Sequence, residues 1–104
     1  MFLADTNVFL EILLRRDKRE NCKKFLEENI GNLHITDFSL HSIGVILFRY
    51  GKQEVFRKFI KDIILNVQLL SYPLERYTEI VNVRNALGLD FDDAYQYGVA
   101  KLLD

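Results

Sequence analysis

The chain contains no tryptophan, one cysteine, one proline and one methionine in 104 residues. Each scarcity removes a class of protein. A lone Cys22 closes no intrachain disulfide and has no partner for a cysteine metal motif, which excludes a disulfide-stapled scaffold and points to a reducing compartment. One proline and five glycines are too few for a disordered or linker-rich chain. No apolar run reaches the roughly 18 residues of a membrane span and no basic segment precedes the apolar opening, so neither membrane insertion nor a signal peptide is expected. The cytoplasm is the default location. Excess positive charge is missing too, since 14 basic side chains face 15 acidic ones, which denies the broad cationic field of a dedicated nucleic-acid binder. The local crowd Arg15, Arg16, Lys18, Arg19, Lys23 and Lys24 suits phosphates or, more simply, a solvated helix face.

What is present is an ordinary globular composition, 49% hydrophobic and 28% charged. A chain of this length makes one small domain, residues 1–104, that buries roughly two-thirds of its unfolded surface. The opening Met1-Phe2-Leu3-Ala4 reads as a short buried strand, followed by a helix in which Val8, Phe9, Ile12 and Leu13 share one face, with Asn7 as its N-cap. Lys18 to Asn29 reads as a second helix closed by Gly31, with Cys22 packed among Phe25, Leu26 and Ile30. Leu33 to Thr36 is a second strand. Asp37 or Ser39 opens a third helix to Tyr50, whose apolar residues cover nearly its whole circumference and predict burial on most sides. A fourth helix from Lys52 carries the single stripe Val55, Phe56, Phe59, Ile60, Ile63 and Ile64. Val67 to Ser71 follows as a third strand, and Pro73 suits the first turn of a helix closed by Leu87-Gly88. The last helix has Ala94, Tyr95, Gly98, Val99 and Leu102 on one face. Strands alternating with helices imply a parallel sheet with right-handed crossovers, hence an α/β sandwich.

Two acidic features stand out on this frame. Asp5 follows the first strand directly, and in open α/β sheets ligands bind beyond the carboxyl ends of strands. Far along the chain, Asp90-Phe91-Asp92-Asp93 opens the last helix. Asp5 and Asp93 are a pair that can share one hard cation such as Mg²⁺ or Mn²⁺, which is commonly held by one or two carboxylates with waters and substrate phosphate. Such a metal activates water and neutralises charge on a phosphodiester, so hydrolysis of that bond is the reaction class. The structural alternative is that Asp5 caps the first helix and Asp90 or Asp92 the last.

Asp5-Thr6-Asn7-Val8-Phe9-Leu10-Glu11 resembles the opening motif of PIN domains, and Leu89-Asp90-Phe91-Asp92-Asp93-Ala94-Tyr95-Gln96 with Ala100 resembles their later acidic motif. The resemblance covers essentially the whole chain. It implies a three-layer, Rossmann-like sandwich, an acidic cluster holding Mg²⁺ or Mn²⁺, cleavage of single-stranded RNA and, for many members, a toxin role opposite an antitoxin. Carried over position by position, Asp5 matches the first metal-binding acid, Asp93 the later one and Asn7 the polar residue that supports the first. Asp90 and Asp92 stand close enough to contribute as ligand or support.

Two departures follow from the same comparison. Where the family usually has a glutamate after the second strand, this chain reads Ser39-Leu40-His41-Ser42-Ile43-Gly44, leaving Ser42 to reach a metal through water, and His41 to meet a phosphate or move a proton. The family also usually continues into another strand and a further acid, whereas this sequence stops at Lys101-Leu102-Leu103-Asp104, and Asp104 is not read as a substitute. The first strand is then expected to have an open edge, covered by a second copy, as in a homodimer, or by another, antitoxin-like protein. Two functions result. One is a metal-dependent endoribonuclease with Asp5, Asp93 and Ser42 at the site, and the other a catalytically weakened PIN-like module that binds RNA or protein.

Overall fold

The computed structural model describes residues 2–103, with the backbone alone at Phe2; Met1 and Asp104 lie outside the described residues. The chain divides into two units, 1–69 and 70–104. In the first, β1 (Phe2–Leu3) leads to α1 (Thr6–Leu13) and α2 (Arg19–Asn29), then a 3₁₀ turn, β2 (Leu33–Thr36), α3 (Asp37–Arg49), α4 (Gln53–Asp62) and a second 3₁₀ turn. β3 (Gln68–Leu70) runs across the unit boundary. β1 and β2 pair in parallel, Phe2 opposite Leu33 and Leu3 opposite His34, and the strand order is β1-β2-β3. The parallel α/β architecture is therefore present. β1 is the outer strand of that order, and among the described residues only β2 pairs with it.

All four residues of β2 are buried, as a central strand covered on both faces requires. Around it gather Phe9 and Leu10 of α1, Leu26 of α2, Ile43 and Leu47 of α3 and Phe59 of α4. Phe9 and Phe59 meet edge to face with ring centroids 5.3 Å apart. The α4 stripe packs as its periodicity indicates, with Phe59 buried and Val55, Phe56, Ile63 and Ile64 partly buried against the core. Cys22 is half-buried rather than a core thiol.

Three local expectations are corrected. α1 begins at Thr6, so the N-cap is Asp5 and not Asn7. α3 is not buried on most sides: Ser39, Ile43 and Leu47 are enclosed, while Val45 is 45% and Phe48 62% exposed. Pro73 does not enter a helix directly, because its ψ of 132° is extended; a 3₁₀ turn at Leu74–Arg76 precedes α5 (Thr78–Leu87).

The second unit consists of α5, α6 (Phe91–Leu103) and the segment leading into them. Gly88 ends α5 in the left-handed conformation, φ 71°, which glycine adopts without a Cβ clash. The centre is a tyrosine cluster in which Tyr72, Tyr77 and Tyr95 stand pairwise 6.0 to 6.2 Å apart. The Tyr95 hydroxyl accepts the Tyr72 backbone N–H at 2.9 Å, and the Tyr72 hydroxyl donates to Glu79 at 2.8 Å. Burial, then that bond to the Glu79 carboxylate, pushes the Tyr72 phenol above its ordinary range. The Arg76 guanidinium, then the Tyr72 hydroxyl, hold Glu79 below its own.

This anchoring leaves no room for a side chain at Gly98 of α6. A Cβ there would lie 2.9 Å from Cε1 of Tyr72, a ring already tethered at both its hydroxyl and its backbone. Overpacking of this kind costs about 1–3 kcal/mol, against a helix-propensity gain for alanine of about 1 kcal/mol. Gly98→Ala is therefore expected to lower the urea midpoint, a net loss of up to about 2 kcal/mol. A midpoint at or above that of the wild type would mean that the Tyr72 ring yields freely.

Candidate active site

Asp5 stands where β1 ends. The Ala4 N–H still pairs with the carbonyl of His34 at 2.8 Å, so the ladder reaches the residue immediately before it. Its backbone is extended, φ −74° and ψ 150°, and its side chain makes no capping hydrogen bond. The first turn of α1 is closed instead by its backbone carbonyl, which accepts from Val8 N–H at 3.1 Å. The carboxylate is exposed beyond the strand end and is not spent on the helix. Asn7 is exposed two residues later.

The neighbouring strand end is tied to this point by hydroxyls that sequence reasoning missed. Thr36 caps α3 by accepting from Ser39 N–H at 2.9 Å, and the Thr6 hydroxyl donates to Ser39 Oγ at 2.9 Å. Thr36 and Ser39 are fully enclosed. The start of α1 and the start of α3 are thus fastened together beyond two adjacent parallel strands. The signal was available in Thr36-Asp37-Phe38-Ser39, whose hydroxyl spacing is that of an N-cap reaching the N3 amide.

α3 distributes the other sequence candidates between two flanks. Ser42, half-buried, comes three residues after Ser39 and so shares the helix face that meets Thr6. His41 comes four after Asp37, and these two line a groove of about 850 Å³ whose remaining walls include Leu40, Val45, Phe48, Phe56 and Leu69. Asp37, a half-buried acid directly after β2, accepts from the Phe38 N–H at 2.8 Å. The sequence had offered it only as a helix opener.

In the second unit, Asp90 occupies the position before α6, where its carbonyl accepts from Ala94 N–H at 2.8 Å. Its carboxylate lies 3.5 Å from Nη1 of Arg84, an exposed pair worth little to stability. Asp92 and Asp93 lie exposed in the first turn of α6. Ala94 and Tyr95, which follow at once, are buried and fix the roll of the helix, so that the two carboxylates face solvent.

Among the described residues, no three or more His, Cys, Asp and Glu side chains group to hold a metal ion. The donors that do stand exposed are carboxylate oxygens, the chemistry preferred by hard divalent cations, and such cations need only one or two of them besides water and phosphate.

The model of the PIN domain family matches residues 2–104, spanning both units. The chain belongs to the PIN-domain family. No curated protein and no solved structure matches it. PIN domains are in general nucleases, and they typically use divalent metals. In this PIN domain the first unit carries Asp5, Asn7, His41 and Ser42, and the second Asp90, Asp92 and Asp93. Among the described residues, no helix is long and apolar enough to cross a membrane.

Proposed function

We propose that this PIN domain is a Mg²⁺- or Mn²⁺-dependent endoribonuclease that hydrolyses phosphodiester bonds of single-stranded RNA, acting as the toxin of a toxin–antitoxin pair in the cytoplasm. The observation that carries the reading is the Asp5 carboxylate, exposed at the end of β1 and making no cap bond to α1. In this reading Asp5 and Asp93 are the carboxylate ligands of the cation, and Asp90 assists them. The cation supplies activated water and charge neutralisation at the phosphate. Asn7 supports Asp5, Ser42 orients substrate or water from the face of α3 that meets Thr6, and His41 and Asp92 supply polar contacts to the strand. Water adds to phosphorus as the bond to the leaving ribose oxygen breaks, the attacking water giving up a proton to solvent and the ribose oxygen taking one from it. The exposed apolar groove beside α3 supports cover by a second copy or by an antitoxin-like protein.

A second reading, a weakened module that binds RNA without turnover, is favoured by Ser42 and His41 standing where an acid is usual. Titration with Mn²⁺ against a labelled single-stranded RNA separates the two. The expected result is cleavage that rises with Mn²⁺ and stops when EDTA is added. Binding without cleavage at any Mn²⁺ concentration would leave the second reading standing.

A further inference from the structure

The second unit holds a cavity of about 360 Å³ whose walls include Tyr77, Ile80, Val81, Arg84, Leu89 and Phe91. Asp90 also stands in its wall, but the apolar walls have no part in the proposed metal chemistry. Its floor is apolar and partly closed, with Ile80 buried, whereas the Phe91 side of its wall is open, that residue being 54% exposed. Exposure of a phenylalanine in the middle of an acidic motif costs hydration, and its ring is nonetheless held in place by Tyr95, 6.2 Å away between centroids. The opposite boundary is fixed as well. Arg84 donates to the carbonyls of Gly88 at 3.3 Å and Leu89 at 3.2 Å and to Asp90 at 3.5 Å. All three bonds run from Nη1, which orients the planar guanidinium.

We infer that this cavity is a nucleobase subsite, in which one unstacked base of the RNA strand stacks on Phe91 beside the Arg84 guanidinium. The inference rests on the nuclease reading for its ligand and adds the part of the strand that the protein grips. Flat aromatic and guanidinium walls select a flat π-system, and unstacked bases of single-stranded RNA are held by aromatic rings and arginine planes of this kind. The cavity volume lies near the lower end for small-molecule sites, which suits one base rather than a peptide helix. Its place on the chain matters equally. Phe91 and Asp93 share the first turn of α6, about 3 Å apart in helix rise but on opposite sides of the helix, so a strand bound at Asp93 passes the turn that carries Phe91. Arg84, Asp90 and Tyr77 bring polar groups to an otherwise apolar wall, and stacking area favours purines.

The absence of tryptophan from the chain provides a direct test. Phe91→Trp installs the sole indole, whose emission is titrated with an oligoadenylate RNA in EDTA, where nothing is cleaved, and with a base-free ribose-phosphate oligomer of equal length. Stacking predicts strong quenching by the oligoadenylate and little by the base-free oligomer. In a separate binding assay Phe91→Leu, which keeps bulk but removes the π-face, is expected to weaken RNA binding about 5- to 100-fold, and Phe91→Tyr to restore it. Thermal melts confirm that each variant is folded. Equal affinity for the two oligomers, or full affinity in Phe91→Leu, would overturn the subsite even in a protein that cleaves RNA. Base-dependent quenching in a protein that never cleaves with Mn²⁺ would instead remove the nuclease reading and keep the subsite.

Discussion

Asp5→Asn is expected to lower Mn²⁺-stimulated RNA cleavage by at least about 100-fold, since loss even of an outer-sphere partner of a metal commonly costs 10- to 100-fold. The melting temperature should not move by more than a degree or two. That second half of the result follows from the geometry, because the Asp5 side chain makes no capping bond and the first turn of α1 is closed by a backbone carbonyl that asparagine retains. Loss of a side chain that truly capped the helix would cost about 1 kcal/mol. Activity and stability therefore separate in this variant. Cleavage within about threefold of the wild type would sink the assignment of Asp5 as a ligand, and Asp93→Asn provides the independent arm in the second unit.

Phe9→Ala is expected to do the reverse, destabilising the first unit without touching any proposed ligand. Phe9 is fully enclosed, it is the residue through which α1 meets the Phe59 ring of α4, and truncation of such a side chain costs about 3–5 kcal/mol. Small domains are stable by only about 5–15 kcal/mol, so the loss removes a large share of the total. A urea melt followed by far-UV circular dichroism should show the fall in midpoint, and any remaining activity should track the folded fraction. A Phe9→Ala protein as stable as the wild type would mean that the Phe9–Phe59 contact contributes little to the first unit.

Much of this arrangement is legible in the sequence where local pattern and tertiary environment agree. β2, the short alternating run Leu33-His34-Ile35-Thr36, is legible as a strand and becomes the central one, α4 has one stripe and buries one face, and Leu87-Gly88 ends α5 with the left-handed glycine its composition suggests. The failures share a cause. Apolar residues all round α3 look the same whether the helix is enclosed or leaves Val45 and Phe48 along an open groove, since periodicity counts apolar positions and not their neighbours. The start of α1 is displaced because Asp5 and Asn7 are equally good capping types, and the strand pairing that decides between them is not written locally. Among the site residues, Asp5 and the Asp90 to Asp93 motif were visible as acids at element boundaries. The Thr6–Ser39 fastening was not, because it joins residues 33 apart in sequence. The grip of Arg84 on the α5–α6 turn escaped for a similar reason, depending on where the Gly88 turn directs two carbonyls.

The Thr6–Ser39 bond also has an electrostatic effect. It holds the amino ends of α1 and α3 side by side, and each helix end carries the equivalent of about half a positive charge from its aligned peptide dipoles. Two such ends together give close to one unit of positive potential beyond the β1–β2 strand ends, made entirely of backbone. A chain with a formal net charge of −1 can in this way offset part of the negative charge of Asp5 and Asp37, which stand at those same two helix ends, without placing a lysine or arginine there.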